Sequence, residues 1–443
     1  MFRKVIFFVV QILILFIAPL NFSQTNSQND SLLQKATLEN CVEYALKYQP
    51  LIRQSLIDEN ITNQEIKSKI AEWFPQLNFN FNYQHNYKLQ TSVIQGNAVH
   101  FGVINTSSAQ FSLNQTIFNR DVLLASSTAG DVQEQAEQST AENKINVVVD
   151  VSKAFYAALL AQNQIDLVNE DITRLKQSEK DTYSQYKSGV VDKTDYMRAT
   201  VALNNALAEQ KQDEEMLKTS YAYLKQQMGY PTNEKLLLDY DTTKMEEDIL
   251  IDTTNTIVFN NRIEFQLLTT DKRLQEANLN YYKWSFIPSL SAFGEYNLNF
   301  FDDKLSQLYK QDYPTSYVGL QLSFPIFEGG KRLHEIEQAK LELERYNYDF
   351  ESLKNSINTE YVQALSSYKG NLANFLIQKK NLGLAKEVYN TIELQYKSGV
   401  KAYLDVITAE TDLRSTQVNY INALYQVLSS KLDLQKALGK IKY

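Results

Sequence analysis

The sequence has little of the residues that form loops and cross-links: it contains one cysteine, 13 glycines and 7 prolines among 443 residues. The single cysteine, Cys41, excludes an intrachain disulfide. The length alone would suggest two or three compact domains, but so few glycines and prolines argue against several domains with ordinary loops. The composition therefore predicts long, uninterrupted secondary structure.

The chain also lacks the patterns that nucleic-acid, metal and enzyme sites require. Its formal net charge is -8, and charges of both signs are mixed along the chain, which excludes the basic stripe of a nucleic-acid binder. The three histidines, His85, His100 and His334, lack cysteines or acids at metal-ligand spacing. Glu328 to Lys331 lacks the glycine spacing of a phosphate loop. We expect no nucleic acid, no metal, no cofactor and no enzymatic activity.

A long apolar run occurs only at the N-terminus. Arg3 and Lys4 precede an apolar run from Val5 to Leu20, which predicts a secretory signal peptide at 1–23 that is cleaved near Ser23. A transmembrane anchor is the alternative, but the run is short for a hydrocarbon core of about 30 Å. Because no later run of about eighteen apolar residues follows, any later membrane crossing is expected to use strands.

An internal duplication organises the rest of the chain. The segment Tyr186 to Val190 recurs without change as Tyr396 to Val400, and the register then holds without a gap. Upstream, Pro75-Gln76-Leu77 matches Pro288-Ser289-Leu290. The sequence therefore predicts a first repeat at 24–230 and a second at 257–443, joined by a linker at 231–256.

Each repeat is predicted to contain a hairpin of two long helices, at about 121–229 and about 331–439. No proline interrupts 76–230 or 326–443, and an interior proline would break a helix. Apolar residues recur at three- and four-residue steps in the first helix, which predicts coiled-coil packing of a helix about 100 Å long. These residues are Ile145, Val148, Phe155, Leu159, Ile165, Val168, Ile172 and Leu175.

Glycines mark the turns of these hairpins. Gly189 and Gly399 stand where the long helices at 121–188 and 331–398 must end, because glycine readily adopts the left-handed conformation of a helix C-cap. Val190 and Val400 are expected to fold back on the last turn. An ordinary helix cap is the alternative for either glycine alone, but the duplication within a matched framework favours hairpin tips.

Two strands precede each hairpin, at about 77–87 and 107–118 and at about 289–300 and 317–327. From Leu77 to Tyr87 apolar and aromatic residues alternate strictly with asparagine and glutamine. The lengths suit tilted transmembrane strands with lipid on one side and water on the other. A soluble antiparallel sheet is the alternative. Trp73, Phe74 and Trp284 lie at the start of each pair, where either an interfacial aromatic belt or a core tryptophan is possible.

Four strands cannot close a wide barrel, and open edges are costly in hydrocarbon. Closure is therefore expected to require several chains, three of which would contribute twelve strands.

At this point the chain resembles the TolC-like outer-membrane efflux factors over essentially all of the sequence that follows the signal peptide. Thr37 to Leu51 resembles the opening helix of the family, and Phe259 to Glu264 is a weaker second copy. Leu322 to Gly330 resembles the junction between strand and helix, whereas its counterpart, Leu113 to Arg120, lacks the proline and the glycine pair.

The resemblance implies a mainly α fold with membrane β: two tandem repeats, each with two transmembrane strands and a long helical hairpin. Three copies would form a homotrimer with a 12-stranded β-barrel in outer-membrane lipid, continued by a periplasmic α-helical barrel. The implied function is that of a passive exit duct in efflux or type I secretion. Its implied partners are a periplasmic adaptor (membrane fusion protein) and an inner-membrane RND or ABC-type pump.

The resemblance also implies roles for residues near the tips. The adaptor contact carries over to Gly189, Val190, Gly399 and Val400. The periplasmic gate carries over to Thr194, Asp195, Tyr396, Lys401 and Asp405. The second acidic ring of the family would fall at Thr408, so one carboxylate ring is expected.

The gate also has a physical rationale that does not depend on the resemblance. Three Asp405 carboxylates at a constriction would attract cations and repel anions. The alternative is a solvated helix N-terminus at which Asp195 and Asp405 complement the helix dipole. The copies differ here, with Lys401 and Tyr403 in place of Val191 and Lys193, which suggests that gating is biased toward the second repeat.

A second function remains open from the sequence: a trimeric coiled-coil surface or structural protein without transport activity. Such an adhesin would usually carry one membrane segment at its end, whereas the strand pairs here lie in the middle of each repeat.

Overall fold

The computed structural model describes residue 33 and residues 35–240 and 242–443, so the predicted signal peptide at 1–23 lies outside the described residues. The long elements alternate twice between helix and strand, in the order expected of two tandem repeats. In chain order the elements are α1 (Leu38–Tyr48), α2 (Pro50–Ala71), β1 (Gln76–His85), β2 (Gln90–Ile94), β3 (Asn97–Phe101), β4 (Asn105–Phe118), α3 (Arg120–Lys187), α4 (Lys193–Met228), α5 (Thr242–Glu247), α6 (Ile263–Lys283), β5 (Ser289–Asp302), β6 (Tyr313–Ser323), α7 (Lys331–Lys397) and α8 (Tyr403–Ala437).

The longest helix, α3, follows the predicted seam. It has 68 residues, which at a rise of about 1.5 Å each make a helix about 100 Å long. Of the eight predicted seam residues all but Ile145 are buried. Among the described residues α3 is also the one helix whose length and composition would allow it to cross a membrane. Its most apolar stretch is 61% buried inside the protein, because those side chains pack against other helices.

The four long strands form one antiparallel sheet in the order β1-β4-β5-β6. Phe79 lies opposite Phe111, with ring centroids 4.9 Å apart, so the aromatic residues of β1 and β4 share one face. β4 of the first repeat pairs with β5 of the second. The sheet therefore joins the two repeats at its centre and leaves β1 and β6 as its edges.

The structure differs from the predicted strands by about two residues at the ends of β1 and β5 and more clearly in two other places. A second hairpin, β2–β3, occupies the loop after β1, with Gln95 and Gly96 at positive φ in its two-residue turn. Its mixed polar sequence and its Gln-Gly turn lack the usual hairpin signature, which is Asn-Gly. The predicted strand at 317–327 instead spans Tyr313–Ser323. It stops before Pro325, and it tolerates Pro314 near its start because an edge strand can lack one N–H donor.

One hydrophobic core lies where the helices of both repeats meet. Phe155 and Leu159 of α3 pack there with Leu424 and Leu428 of α8. The free thiol of Cys41 on α1 is fully buried in the same core. Burial raises the pKa of this thiol to about 12.

The segment predicted as a linker, 231–256, does more than connect the repeats, since its described part contributes to this core. Leu236 and Ile249 are buried there. Ala36 pairs with Leu238 in a short parallel bridge. The Tyr368 hydroxyl on α7 donates to the Ile249 carbonyl at 3.1 Å. The linker therefore forms a packed layer around the middle of the bundle.

Two glycines fix how each hairpin returns to this core. α4 and α8 end near Gly229 and Gly439, which have φ values of +68° and +65°. A Cβ on Gly229 would lie 2.9 Å from Cα of Gln49, and a Cβ on Gly439 would lie 2.6 Å from the carbonyl oxygen of Asn261. Both glycines therefore allow the returning chain to touch the backbone that opens its own repeat.

We predict that Gly229→Ala and Gly439→Ala each lower the melting temperature of the helical circular dichroism signal. A positive φ at alanine costs on the order of 1–3 kcal/mol, and the close backbone contacts would have to shift as well. The matched control is Gly370→Ala in the interior of α7, where a Cβ would meet no atom within 4 Å. Alanine should be neutral or stabilising there. Equal melting temperatures for all three variants would contradict the role given to Gly229 and Gly439.

Candidate functional site

The two hairpin tips, residues 188–190 and 398–400, have the same geometry. The N–H of Val190 donates to the Gln185 carbonyl and the N–H of Val400 to the Gln395 carbonyl, both at 2.9 Å, which closes each helix with a Schellman-type turn. Gly189 and Gly399 have φ values of +75° and +76°. A left-handed glycine therefore ends each long helix, as the repeated segment predicts.

The expectation that the tip valines fold back on the last turn is wrong for their side chains. The backbone folds back, but the side chains of Val190 and Val400 project outward and are each 72% exposed. A Cβ at Gly189 or Gly399 would meet no atom within 4 Å. The tips therefore present two apolar side chains next to bare backbone.

Of the predicted gate residues, Tyr396 makes the contact that joins the two hairpins. Its hydroxyl at the end of α7 donates to Oε1 of Gln185 at the end of α3, at 3.0 Å. Burial raises the pKa of Tyr396, and the carboxylates of Asp195 and Asp181 add to this effect. Asp195, on the first turn of α4, is therefore brought close to Tyr396 although the two residues are far apart in sequence.

Lys401 and Asp405 make local contacts in this chain. Lys401 Nζ lies 3.9 Å from Oδ2 of Asp405, and the same oxygen accepts a hydrogen bond from the N–H of Ala402 at 3.2 Å. Asp405 therefore caps the N-terminus of its own helix, which is the role that the alternative interpretation gave it. Its side chain remains 43% exposed, so capping leaves it accessible to solvent.

Thr194 occupies a different position from the other predicted gate residues. It lines a cavity of about 820 Å³ between α4 and α8, together with Met197 and Val201 of α4 and Leu404 of α8. The structure thus groups Asp195 with Tyr396, places Lys401 beside Asp405, and leaves Thr194 on the cavity wall.

Further contacts between α3 and α8, which the sequence did not predict, lie above the Tyr396 contact on the side away from the tips. The Tyr403 hydroxyl of α8 lies 2.6 Å from Oγ of Ser178 on α3. Further from the tips on both helices, the Glu410 carboxylate of α8 accepts a hydrogen bond from Arg174 of α3. Arg174 also pairs with Asp171 of its own helix. Gln185, Ser178 and Asp171 are spaced by seven residues and therefore share one face of α3. That spacing is the signal in the sequence that could have identified them.

The two repeats contribute different residues to this seam. Tyr403 is 3% exposed and packs with Val406 and with Ala199 of α4. Its counterpart in the first repeat, Lys193, is exposed. This difference agrees in direction with the predicted bias of gating toward the second repeat, which itself stays a prediction.

Comparison with known families gives one match across both repeats. The model of the family described as outer membrane efflux protein matches residues 41–230 and 264–440. The two matched ranges together cover more than half of the chain, and the gap between them includes the packed linker.

Individual relatives are distant but extensive. The outer membrane protein TolC of Escherichia coli strain K12 is 20% identical over 439 residues, covering 96% of this chain and 86% of the relative. The alkaline protease secretion protein AprF of Pseudomonas aeruginosa is 23% identical over 307 residues, covering 66% of this chain and 61% of the relative. The crystal structure of the Campylobacter jejuni CmeC outer membrane channel superposes with a TM-score of 0.72 at 16% identity, covering 91% and 85% of the two chains.

We predict that Tyr403→Phe and Ser178→Ala are energetically coupled. Each variant removes one partner of the same buried hydrogen bond, which is worth about 0.5–1.5 kcal/mol, so the double variant should lose less than the sum of the single losses. The shift in the midpoint of urea unfolding, followed by circular dichroism, measures this. Tyr348→Phe, at a ring that is 66% exposed on α7, is the control and should behave like the wild type. Strict additivity would mean that this contact does not form in solution.

Proposed function

The chain belongs to the outer membrane efflux protein family, and we propose that three copies of it close into one channel. A member of this family with relatives in efflux and in protease secretion is an exit duct of the outer membrane. The trimer, the partners and the gate are the parts of this function that we propose here. One observation supports the assembly of several copies: the described chain leaves two strand edges and an apolar helix face without a partner.

The sheet supplies the first such surface. β1 is exposed along its whole length, and the edges at β1 and β6 have no neighbouring strand within the described chain. The apolar side chains of one face, such as Phe79, Val318 and Leu320, are between 54% and 88% exposed. An apolar face and two open edges are compatible with lipid only if β1 pairs with β6 of a neighbouring copy.

Helix α7 supplies the second such surface. Within α3 twenty described residues are buried, whereas α7, of nearly equal length, buries only six. Large apolar side chains such as Leu376, Ile377 and Val388 are more than half exposed on α7. A monomeric protein rarely leaves an apolar stripe of this length in water. We therefore propose that α7 packs against helices of a neighbouring copy in the wall of the periplasmic tunnel.

The hairpin tips are the proposed docking site for a periplasmic adaptor (membrane fusion protein). Val190 and Val400 project from both tips, and the open backbone at Gly189 and Gly399 lets a partner approach closely. The adaptor would connect the duct to an inner-membrane pump of the RND or ABC type. The duct itself is passive, because the energy for transport comes from the pump.

The gate is proposed at the level of Asp195, Tyr396 and Asp405, with Lys401 beside Asp405 and Thr194 on the wall of the adjoining cavity. Tyr396 holds the end of α7 against α3, and three half-exposed Asp405 carboxylates would ring the opening of a trimer. Export through a cleaved signal peptide at 1–23 would deliver the chain to the periplasm, and the sheet would insert in the outer membrane.

We predict that the purified protein opens cation-selective pores in planar lipid bilayers and that Asp405→Asn reduces this selectivity. Asparagine can still accept the hydrogen bond from Ala402, so the variant removes the charge while keeping the cap. Asp405→Ala removes both, and comparing the two variants separates gating charge from helix capping. Asp58→Asn, exposed on α2, is the matched control. A wild-type protein that opens no pore would favour a structural surface protein instead.

Co-purification tests the docking tips. We predict that Val190→Asp combined with Val400→Asp greatly reduces recovery of the adaptor on tagged channel from membranes, because charged side chains would replace apolar contacts. The variant should assemble normally, since both valines are exposed. Val93→Asp, 72% exposed on β2 at the other end of the molecule, is the control with equal exposure. Full adaptor recovery by the double variant would refute the proposal that the hairpin tips are the docking site.

A further inference from the structure

The register of the four-stranded sheet fixes which side chains share the face opposite the apolar one. Phe79 lies opposite Phe111, and Phe111 lies opposite Tyr296, so the apolar face runs across the sheet from β1 to β5. Because side chains alternate along a strand, the residues between these positions belong to the other face. Under the function proposed above, that other face lines the water-filled lumen of the barrel.

The lumen face carries a single charge. Glu295 and Asp302, both on β5, are the only acidic residues in the four long strands, and these strands contain no lysine or arginine. Asp302 ends β5 in register with the apolar face, where its carboxylate accepts a hydrogen bond from the N–H of Lys304 at 2.7 Å. Glu295 lies in the middle of β5, on the lumen face. The lumen positions of β1 and β4 carry only amides and hydroxyls: Gln76, Asn78, Asn80, Asn82, Gln84, Thr106, Ser108, Gln110, Ser112, Asn114 and Thr116.

Glu295 belongs to a patch of three side chains at the pair of strands β5 and β6. Tyr317 lies directly opposite Glu295, and its hydroxyl donates to Oε2 of Glu295 at 2.5 Å. The ring of Phe293 lies on the same face, with its centroid 6.1 Å from that of Tyr317 and the two ring planes at 73°. Gly319 makes room for this ring, because a Cβ there would lie 2.6 Å from Cζ of Phe293. The patch therefore places two aromatic rings beside one carboxylate.

The carboxylate of Glu295 has capacity for a further partner. A carboxylate can accept about four hydrogen bonds, of which the Tyr317 hydroxyl uses one. Within the described part of the chain Glu295 forms no ion pair, and Tyr317 beside it is 51% exposed. The protomer therefore leaves a negative charge on the wall of the lumen without a cation to neutralise it.

A purely structural role does not require this charge. The pair of Tyr317 and Glu295 connects β5 to β6, and such cross-strand pairs stabilise a sheet. A glutamine in place of Glu295 could accept the same hydrogen bond without a charge. All other polar side chains on the lumen face are neutral, so the carboxylate is an exception on this face that sheet formation alone does not explain.

The width of the barrel limits what the charge can do at a distance. Twelve strands about 4.8 Å apart make a barrel on the order of 20 Å or more across. At physiological ionic strength, charges in water are screened over about 8 Å. Three Glu295 carboxylates on the wall therefore act mainly on solutes that touch the wall.

Resting on the function proposed above, we propose that Glu295, Phe293 and Tyr317 form a binding site for organic cations on the wall of the lumen. The carboxylate neutralises the positive charge of such a solute. The two rings contact its apolar groups and attract the cation through their π faces. An aromatic quaternary ammonium ion combines these features. The site occurs once per chain, because the lumen face of β1 and β4 has neither a carboxylate nor an aromatic ring.

Saturation-transfer NMR on the assembled protein in phosphatidylcholine nanodiscs tests the site, with benzyltrimethylammonium as the probe. We expect Glu295→Gln and Phe293→Leu each to lower the signal of bound probe several-fold. Tyr317→Phe keeps the ring and frees the carboxylate, so it should bind the probe as well as the wild type does. Asp302→Asn is the matched control, because it removes the other strand carboxylate and should leave binding unchanged. A loss in Tyr317→Phe as large as that in Glu295→Gln would contradict the proposal.

Two further probes separate the contributions of charge and ring. Tetramethylammonium has the charge without the ring and should give a weaker signal than benzyltrimethylammonium. Benzenesulfonate has the ring with the opposite charge and should give no signal above that of empty nanodiscs. Equal signals from benzenesulfonate and benzyltrimethylammonium would refute a site that selects cations.

The outcomes distinguish the wall site from the duct. A wild-type protein that opens no pore in planar bilayers would refute the duct. A pore-forming wild type that binds benzyltrimethylammonium no better than Glu295→Gln does would refute the wall site alone. Native gels report the assembly of each variant. If neither Glu295→Gln nor Phe293→Leu assembles, the patch is required to build the sheet and the wall-site proposal is wrong.

Discussion

The antiparallel contact between α3 and α8 is the interaction on which the rest of the architecture depends. Each repeat folds back on itself through a hairpin, but a hairpin of two helices has only one covered face. α3 and α8 come from different repeats, and their contact turns two hairpins into one bundle that runs from the central core to the tips. The pairing of β4 with β5 does the same for the sheet. Duplication thus supplied two copies of a unit that is incomplete alone.

This contact changes its chemistry along its length. Near the middle of the molecule its buried part is apolar, with Phe155 and Leu159 of α3 against Leu424 and Leu428 of α8. The ion pair of Lys153 with Asp433 lies at the more exposed margin of this part. Toward the tips it becomes polar, through Asp171, Ser178 and Gln185 on α3. Replacing an apolar contact with water costs free energy, whereas a polar group can exchange its protein partner for a water molecule. The same helix pair is therefore held mainly by buried apolar side chains at one end and mainly by polar contacts at the other.

The sequence predicted the long helices to within about a residue at most ends, because proline-free stretches and capping glycines are local signals that the structure retains. It also predicted the faces of the strands, since strict alternation leaves one choice of face. The β2–β3 hairpin was missed because its residues show neither pattern. The core contribution of the linker was missed because Leu236 and Ile249 are isolated apolar residues in a polar segment. The seven-residue spacing of Asp171, Ser178 and Gln185 marks one face of α3, but their partners depend on how α3 and α8 are aligned, and only tertiary structure fixes that alignment.

The open strands β1 and β6 have a further consequence for biogenesis. Every partial ring made of such chains would still carry two strand edges with unsatisfied backbone groups, whatever the number of copies already joined, and only the final closure removes both. The last subunit therefore forms two strand pairings, whereas each earlier subunit forms one, so the gain in stability is largest in the last step. Such a chain would populate either separate subunits or the complete ring, and its unassembled form would need protection from mispairing on the way to the membrane.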